Sequence, residues 1–137
     1  MRVLGLDVGE KTIGVALSDP LGWTAQGIET WRRKNMEADL EHLLLLIKEY
    51  EVTEIVVGLP LNMNGSKGPS AQRAEEIGEL LRERSQAKII YQDERLSTVA
   101  MEKILLQGDV SRSKRKKVID KMAAAYILQG YLDSLSR

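Results

Sequence analysis

The chain contains no cysteine. Disulfides, thiolate metal sites and a thiol nucleophile are therefore excluded. It has a single histidine, His42, too few for a histidine-rich zinc site and a thin basis for a Ser-His-Asp triad. Long apolar runs are missing too. Runs such as Leu43–Ile47 fall far short of the ~20 residues a membrane span needs. At the start, Asp7 interrupts Met1-Arg-Val-Leu-Gly-Leu6 before an apolar signal core can form. A cytoplasmic chain with no membrane partner is the expectation. Net charge is also absent, with 20 Lys+Arg against 20 Asp+Glu, which argues against a uniformly basic binder of nucleic acid.

What is present suits one globular domain spanning residues 1–137. A composition of 43% hydrophobic and 29% charged residues is neither disordered nor membranous. At this size roughly two thirds of the unfolded surface is buried on folding, enough for a core without staples. Residues 2–8 and 12–18 are Val/Leu/Ile/Gly-rich runs separated by Gly9-Glu10-Lys11, the pattern of a β-hairpin. Asp19-Pro-Leu-Gly22 signals a turn, and Thr24–Trp31 a third strand, with Trp23 and Trp31 packing at its ends. A helix is predicted from Met36 to Tyr50, where Leu40, Leu43, Leu44, Ile47 and Tyr50 form the apolar stripe. Glu37, Asp39, Glu41 and Glu49 fall off that stripe, and His42 falls on the solvent side.

Glu54–Leu59 is apolar almost throughout and ends at Pro60, as expected of a strand buried on both faces. Residues 60–70 form a Gly/Asn/Pro loop, and Ser70 is placed to cap a helix over 71–84. Within that helix Gly78 is expected to cost about 1 kcal/mol relative to alanine. Lys88–Gln92 reads as a strand, and Ser97–Gln107 as a helix closed by Gly108. Gly108–Ser113 is a polar loop, and Lys114–Leu135 the last helix. The opening hairpin is antiparallel and the later strands, joined by helical crossovers, are parallel. One mixed sheet with helices on both faces follows.

Three carboxylates break the pattern of their elements. Asp7 lies inside an apolar strand, where a carboxylate is costly to bury unless paired or bound to metal. Glu94 follows Asp93 directly after a strand. Asp120 shares a helix face with Ala123, Ala124 and Ile127. Each has a plainer reading as well: a turn former, compensation of a helix dipole, or a pair with Lys116 at i−4 or Lys117 at i−3. If the three converge, hard oxygen donors without Cys or His select Mg²⁺ or Mn²⁺.

Charge is unevenly distributed. Residues 111–121 carry six basic side chains against one acid, a local +5 that the rest of the chain balances. Such a run is ordinarily a solvated helix face. Here Arg112, Lys114, Arg115, Lys116 and Lys117 lead directly into Asp120, and a phosphodiester backbone has use for both cations and metal carboxylates. The loop after Pro60 lacks P-loop spacing. Its Asn62, Asn64, Ser66 and Lys67, with Arg95, are candidate polar contacts to a substrate.

Taken together, these blocks resemble the YqgF family, whose members are called Holliday junction resolvases or pre-16S rRNA nucleases. The resemblance rests on Gly5-Leu-Asp-Val-Gly9, Gly14-Val-Ala16, Val57-Gly-Leu-Pro60, Asp93-Glu-Arg-Leu-Ser-Thr98 and Val118-Ile-Asp-Lys-Met-Ala-Ala124. It implies an RNase H-like three-layer α/β fold, a mixed five-stranded sheet with its first three strands antiparallel, flanked by helices. It also implies a nuclease using Mg²⁺ or Mn²⁺, with Asp7, Glu94 and Asp120 as catalytic acids and metal ligands. Nucleic acid is the implied partner, either precursor rRNA trimmed at its 5′ end or branched DNA, for a monomer or homodimer. RuvC-type resolvases use a fourth carboxylate on the last helix, whereas Ala123 occupies the position one turn after Asp120. Two other classes remain: a nucleic-acid-binding module without turnover, and an ATPase suggested by the D-x-G hairpin, which needs a second domain.

Overall fold

The computed structural model describes residues 2–93 and 112–135, and within 112–121 the backbone alone. The elements are β1 (Arg2–Val8), β2 (Thr12–Ser18), β3 (Ala25–Arg32), α1 (Met36–Glu49), β4 (Val52–Leu59), α2 (Pro69–Arg84), β5 (Lys88–Asp93) and α3 (Arg112–Ser134). The strands form one sheet in the order β3-β2-β1-β4-β5. β1 pairs antiparallel with β2, and β2 with β3, while β1–β4 and β4–β5 are parallel. No described helix is long and apolar enough to cross a membrane.

Strand alternation makes the two faces of the sheet different. Leu4, Leu6, Val8, Ile13, Val15, Ile55 and Val57 point to the face covered by α1 and α2, where Leu40, Leu43, Ile77 and Leu81 complete the larger core. Val3, Ala16 and Val56 point to the other face, under Ala124, Ile127, Leu128 and Leu132 of α3. On this second face Ala16 and Ala124 are the small members of the layer.

Several expectations are corrected by tertiary contacts. Asp39, expected in solvent, is only 1% exposed. Its carboxylate accepts from the Trp31 indole Nε1 (2.9 Å), Arg33 Nε (2.9 Å) and the Lys34 backbone N–H (3.0 Å). The β3–α1 connection folds over the first turn of α1 and encloses it, which helical periodicity cannot show. His42 is half-buried rather than solvated: it stacks on Trp31 with ring centroids 3.8 Å apart and pairs with the Glu29 carboxylate. Trp23 is 55% exposed instead of packing at the end of β3. Ser70 does not cap α2. Gly68 is the N-cap and Pro69 opens the helix, because proline's fixed φ and missing N–H suit the first turn. Arg112 and Ser113, expected in a loop, begin α3. The predicted helix Ser97–Gln107 and the loop up to Ser111 lie outside the described residues.

Gly78 is the clearest reversal. A Cβ there would lie 2.3 Å from Tyr91 Oη and 2.9 Å from two ring carbons. That hydroxyl donates to Glu79 Oε2 at 2.7 Å, so the ring cannot yield without losing its partner. Gly78→Ala is therefore expected to destabilise by about 1–3 kcal/mol, instead of gaining the ~1 kcal/mol that helix propensity alone assigns. Urea denaturation of the two proteins measures it, and a more stable variant would show that Tyr91 moves aside freely.

Candidate active site

The carboxyl ends of β1, β4 and β5 reach the same edge of the sheet. Asp7 stands on central β1, partly buried, one residue before the strand ends. Its partner across β2 is Gly14. Continuing the β1–β4 register one row beyond Leu6↔Val57 brings Gly58 to its other side, and Gly58 pairs with Gln92. Asp7 thus has no side chain beside it from either neighbouring strand at its own level. The carboxylate stands in a gap between two glycines, at a sheet edge, on the face that α3 covers.

Gly5 sets how near α3 comes. A Cβ at Gly5 would lie 2.8 Å from Leu128 Cβ and 3.1 Å from the Ala124 carbonyl oxygen, so the helix rests on bare β1 backbone. α3 runs antiparallel to β1. Tyr131 Oη donates to Glu54 Oε2 at 2.9 Å, and Glu54 pairs with Val3 near the start of β1, whereas Ala124 lies over Gly5. Burial first, then the Glu54 carboxylate, push the Tyr131 phenol up to about 12, so it stays a donor at neutral pH. Over β3 at the same end of the sheet, Gln129 accepts from Ala25 N–H and donates to the Trp23 carbonyl.

Two residues along β1 from Gly5 to Asp7 is about 7 Å, and one turn back along α3 from Ala124 to position 120 is about 6 Å. The α3 backbone at position 120 therefore runs over the Asp7 end of β1. The side chains of Asp120, Arg112 and Lys114–Lys117 lie outside the described residues. Ala123 is fully buried. β5 ends in exposed Asp93 at the same edge, and Glu94 and Arg95, which follow it, lie outside the described residues.

The loop after β4 also reaches this edge, with its polar groups turned on one another. Asn62 Nδ2 donates to Ser66 Oγ, and both Ser66 N–H and Oγ donate to Asn64 Oδ1. Lys67 Nζ pairs with Glu75 Oε2 at 2.7 Å. Among the described residues no group of three carboxylates or imidazoles forms, since Glu94 and the Asp120 side chain are not among them. What Asp7 offers a metal is one partly buried, hard oxygen donor, and that fits Mg²⁺ or Mn²⁺. Sequence reasoning missed a cleft of about 410 Å³ at the hairpin end of the same edge, lined by Lys11, Arg32, Arg33 and Lys34 among others. The run Arg32-Arg33-Lys34 directly after a predicted strand was its only signal.

An antiparallel β3-β2-β1 unit extended by parallel β4 and β5, with helices on both faces, is the RNase H-like fold of the resolvase class. Two solved structures share it: the fowlpox virus Holliday junction resolvase, with TM-score 0.59 and 19% identity over 99% of this chain and 100% of that one, and Thermus thermophilus RuvC in complex with a Holliday junction substrate, with TM-score 0.60 and 12% identity over 96% and 93%. Within that class, the chain belongs to the RuvX Holliday junction resolvase family, whose model matches residues 1–134. Among its relatives, a protein of Halalkalibacterium halodurans named "Putative pre-16S rRNA nuclease" is 62% identical over 97% of this chain and 96% of its own length. Proteins of the same name from Clostridium botulinum and Desulforamulus reducens are 59% identical over 100% of both chains and 61% identical over 98% of both.

Proposed function

We propose that this chain is a nuclease that hydrolyses phosphodiester bonds in nucleic acid with a divalent metal, and that its substrate is precursor 16S rRNA trimmed at the 5′ end. The observation that carries the reading is Asp7: a partly buried carboxylate at a sheet edge, flanked by Gly14 and Gly58, on the face where α3 presses onto Gly5. The family and the names of its relatives supply the substrate class.

In this reading Asp7, Glu94 and Asp120 hold Mg²⁺ or Mn²⁺. When bound, the metal makes water a nucleophile near neutral pH and stabilises the departing oxygen. Asp7 anchors the site because β1 is the central strand and cannot move without the sheet. Asp120 lies on α3, whose distance from β1 is set by Gly5. The basic residues 112–117 hold the flanking backbone. Their position also has an energetic signature: α3 has no acidic residue in its first turn, and cations there oppose the helix dipole by about 0.3–1 kcal/mol each. A bound polyanion offsets that repulsion. Asn62, Asn64, Ser66, Lys67 and Arg95 complete the contact surface along the edge.

The family name favours a second substrate, the four-way DNA junction. Buried Ala123, where RuvC-type sites use a carboxylate, stands against it. The test supplies purified protein with end-labelled RNA spanning the 16S 5′ leader, or with a four-way DNA junction, in Mg²⁺, Mn²⁺ or EDTA. Cleavage of the RNA in Mg²⁺ and none in EDTA is expected. Undiminished activity in EDTA would remove the metal from the mechanism. Binding without cleavage in any arm would leave a nucleic-acid-binding module. Depletion in the source bacterium is expected to leave unprocessed 16S 5′ ends, and unaltered ends would redirect the activity to DNA.

A further inference from the structure

We infer that the cleft between the β1–β2 hairpin and the start of α1 is a phosphate subsite, which holds the backbone of a nucleic-acid strand away from the scissile bond. The ligand class rests on the nuclease reading; the site rests on its own geometry. The cleft, of about 410 Å³, brings together Lys11 from the hairpin, Arg32 at the end of β3, and Arg33 and Lys34 from the connection into α1. Glu10 and Asp39 also line it, yet Asp39 is occupied by Arg33, Trp31 and the Lys34 amide.

Arg33 serves as the frame. Its Nε is held by Asp39 and its Nη1 donates to the Gly9 carbonyl at 3.0 Å, while its backbone N–H donates to the Lys11 carbonyl at 2.8 Å. These bonds tie the hairpin to the α1 connection and keep the cleft open at a set width. Lys34 lies over the Trp31 ring, 5.2 Å from its centroid. Lys11 and Arg32 are exposed, and among the described residues neither has an ion-pair partner. Cations displayed in a braced cleft, beside a helix N-terminus, suit a phosphate oxygen.

Position links the cleft to Asp7. Arg32 pairs with Thr12, two residues along β2 from Gly14, the partner of Asp7. Two strand spacings and two residues of rise separate the Cα atoms of Arg32 and Asp7 by about 12 Å. A strand of a few nucleotides spans that distance, from the α3 start across Asp7 to the hairpin.

The test is single-stranded RNA binding by fluorescence anisotropy, with the full chain in EDTA, from low to moderate salt. Lys11→Ala/Arg32→Ala is compared with wild type and with Lys48→Ala/Lys88→Ala. The control removes the same charge from two exposed lysines at the opposite end of the molecule. Loss of two phosphate contacts is expected to flatten the slope of log affinity against log salt by about 1.4, with affinity falling roughly tenfold or more near 0.1 M salt, while the control keeps the wild-type slope. Equal slopes for the two double variants, or no measurable RNA affinity in the wild type, would overturn the subsite. A flattened slope in a protein that never cleaves would leave the subsite standing and reject the nuclease reading alone.

Discussion

Asp7→Asn is expected to lower phosphodiester hydrolysis by roughly 10³-fold or more, ~4 kcal/mol of transition-state stabilisation, while leaving the fold intact. The amide has the volume of the carboxylate and keeps its hydrogen-bonding reach, so the sheet has nothing to rearrange around. What changes is charge. A neutral amide between Gly14 and Gly58 no longer draws a divalent cation to the edge, and no other described side chain at that level of the sheet replaces it. If the carboxylate serves the chemistry proposed for it, the melting temperature should be equal to or higher than in wild type. Initial rates in saturating Mg²⁺, with a thermal melt on the same preparation, give both numbers. A rate within tenfold of wild type would show that Asp7 does not act at the reacting phosphate.

Asp39→Ala is expected to destabilise the protein by about 3–5 kcal/mol, the cost of breaking a buried ion pair from one side. The substitution strands the Arg33 guanidinium, the Trp31 indole N–H and the Lys34 amide together, all of which now donate to one carboxylate. Burial by itself would raise the carboxyl pKa. The Lys34 amide, the Trp31 indole and Arg33 outweigh it and hold the group below its ordinary value. A depressed folded-state pKa contributes stability that is complete above the unfolded value, near 3.9, and is lost as pH falls through the lower folded value. Denaturant unfolding at pH 7 gives the first effect, and a series below pH 5 gives the second. In Asp39→Asn the acid-dependent part of this loss should disappear. An alanine variant within 1 kcal/mol of wild type would mean that the β3–α1 connection holds without its acid.

The strands were legible because their signals are local. The Val/Leu/Ile/Gly-rich runs at 2–8 and 12–18 and the near-continuous apolar run Glu54–Leu59 were enough to place β1, β2 and β4, although β4 begins two residues earlier and β5 ends one residue later than expected. Asp7 stood out for the opposite reason, as a charge interrupting such a pattern, and it lies partly buried on β1. Asp39 and His42 were misread because their burial comes from Trp31 and Arg33, which lie on a different element. Gly78 was misread in the same way: as a helix residue it is a weakness, and only the Tyr91 ring from β5 makes it necessary. The cationic cleft escaped notice since its four basic residues come from the hairpin and from the β3–α1 connection, more than twenty positions apart.

Sequence alone determined the described strands and helices and their order, because helix and strand periodicity act within a few residues, and it singled out Asp7 because a carboxylate in an apolar run is costly. It also determined that zero net charge conceals a basic segment before Asp120. Tertiary structure decided what those residues face. Gly5 lets α3 settle onto β1 and brings the helix over the Asp7 end, Gly14 and Gly58 clear the space beside that carboxylate, and Arg33 binds the hairpin to the start of α1. Each of these depends on close approach between segments distant in the chain, and such approach is set by side-chain volume and backbone hydrogen bonding across the sheet.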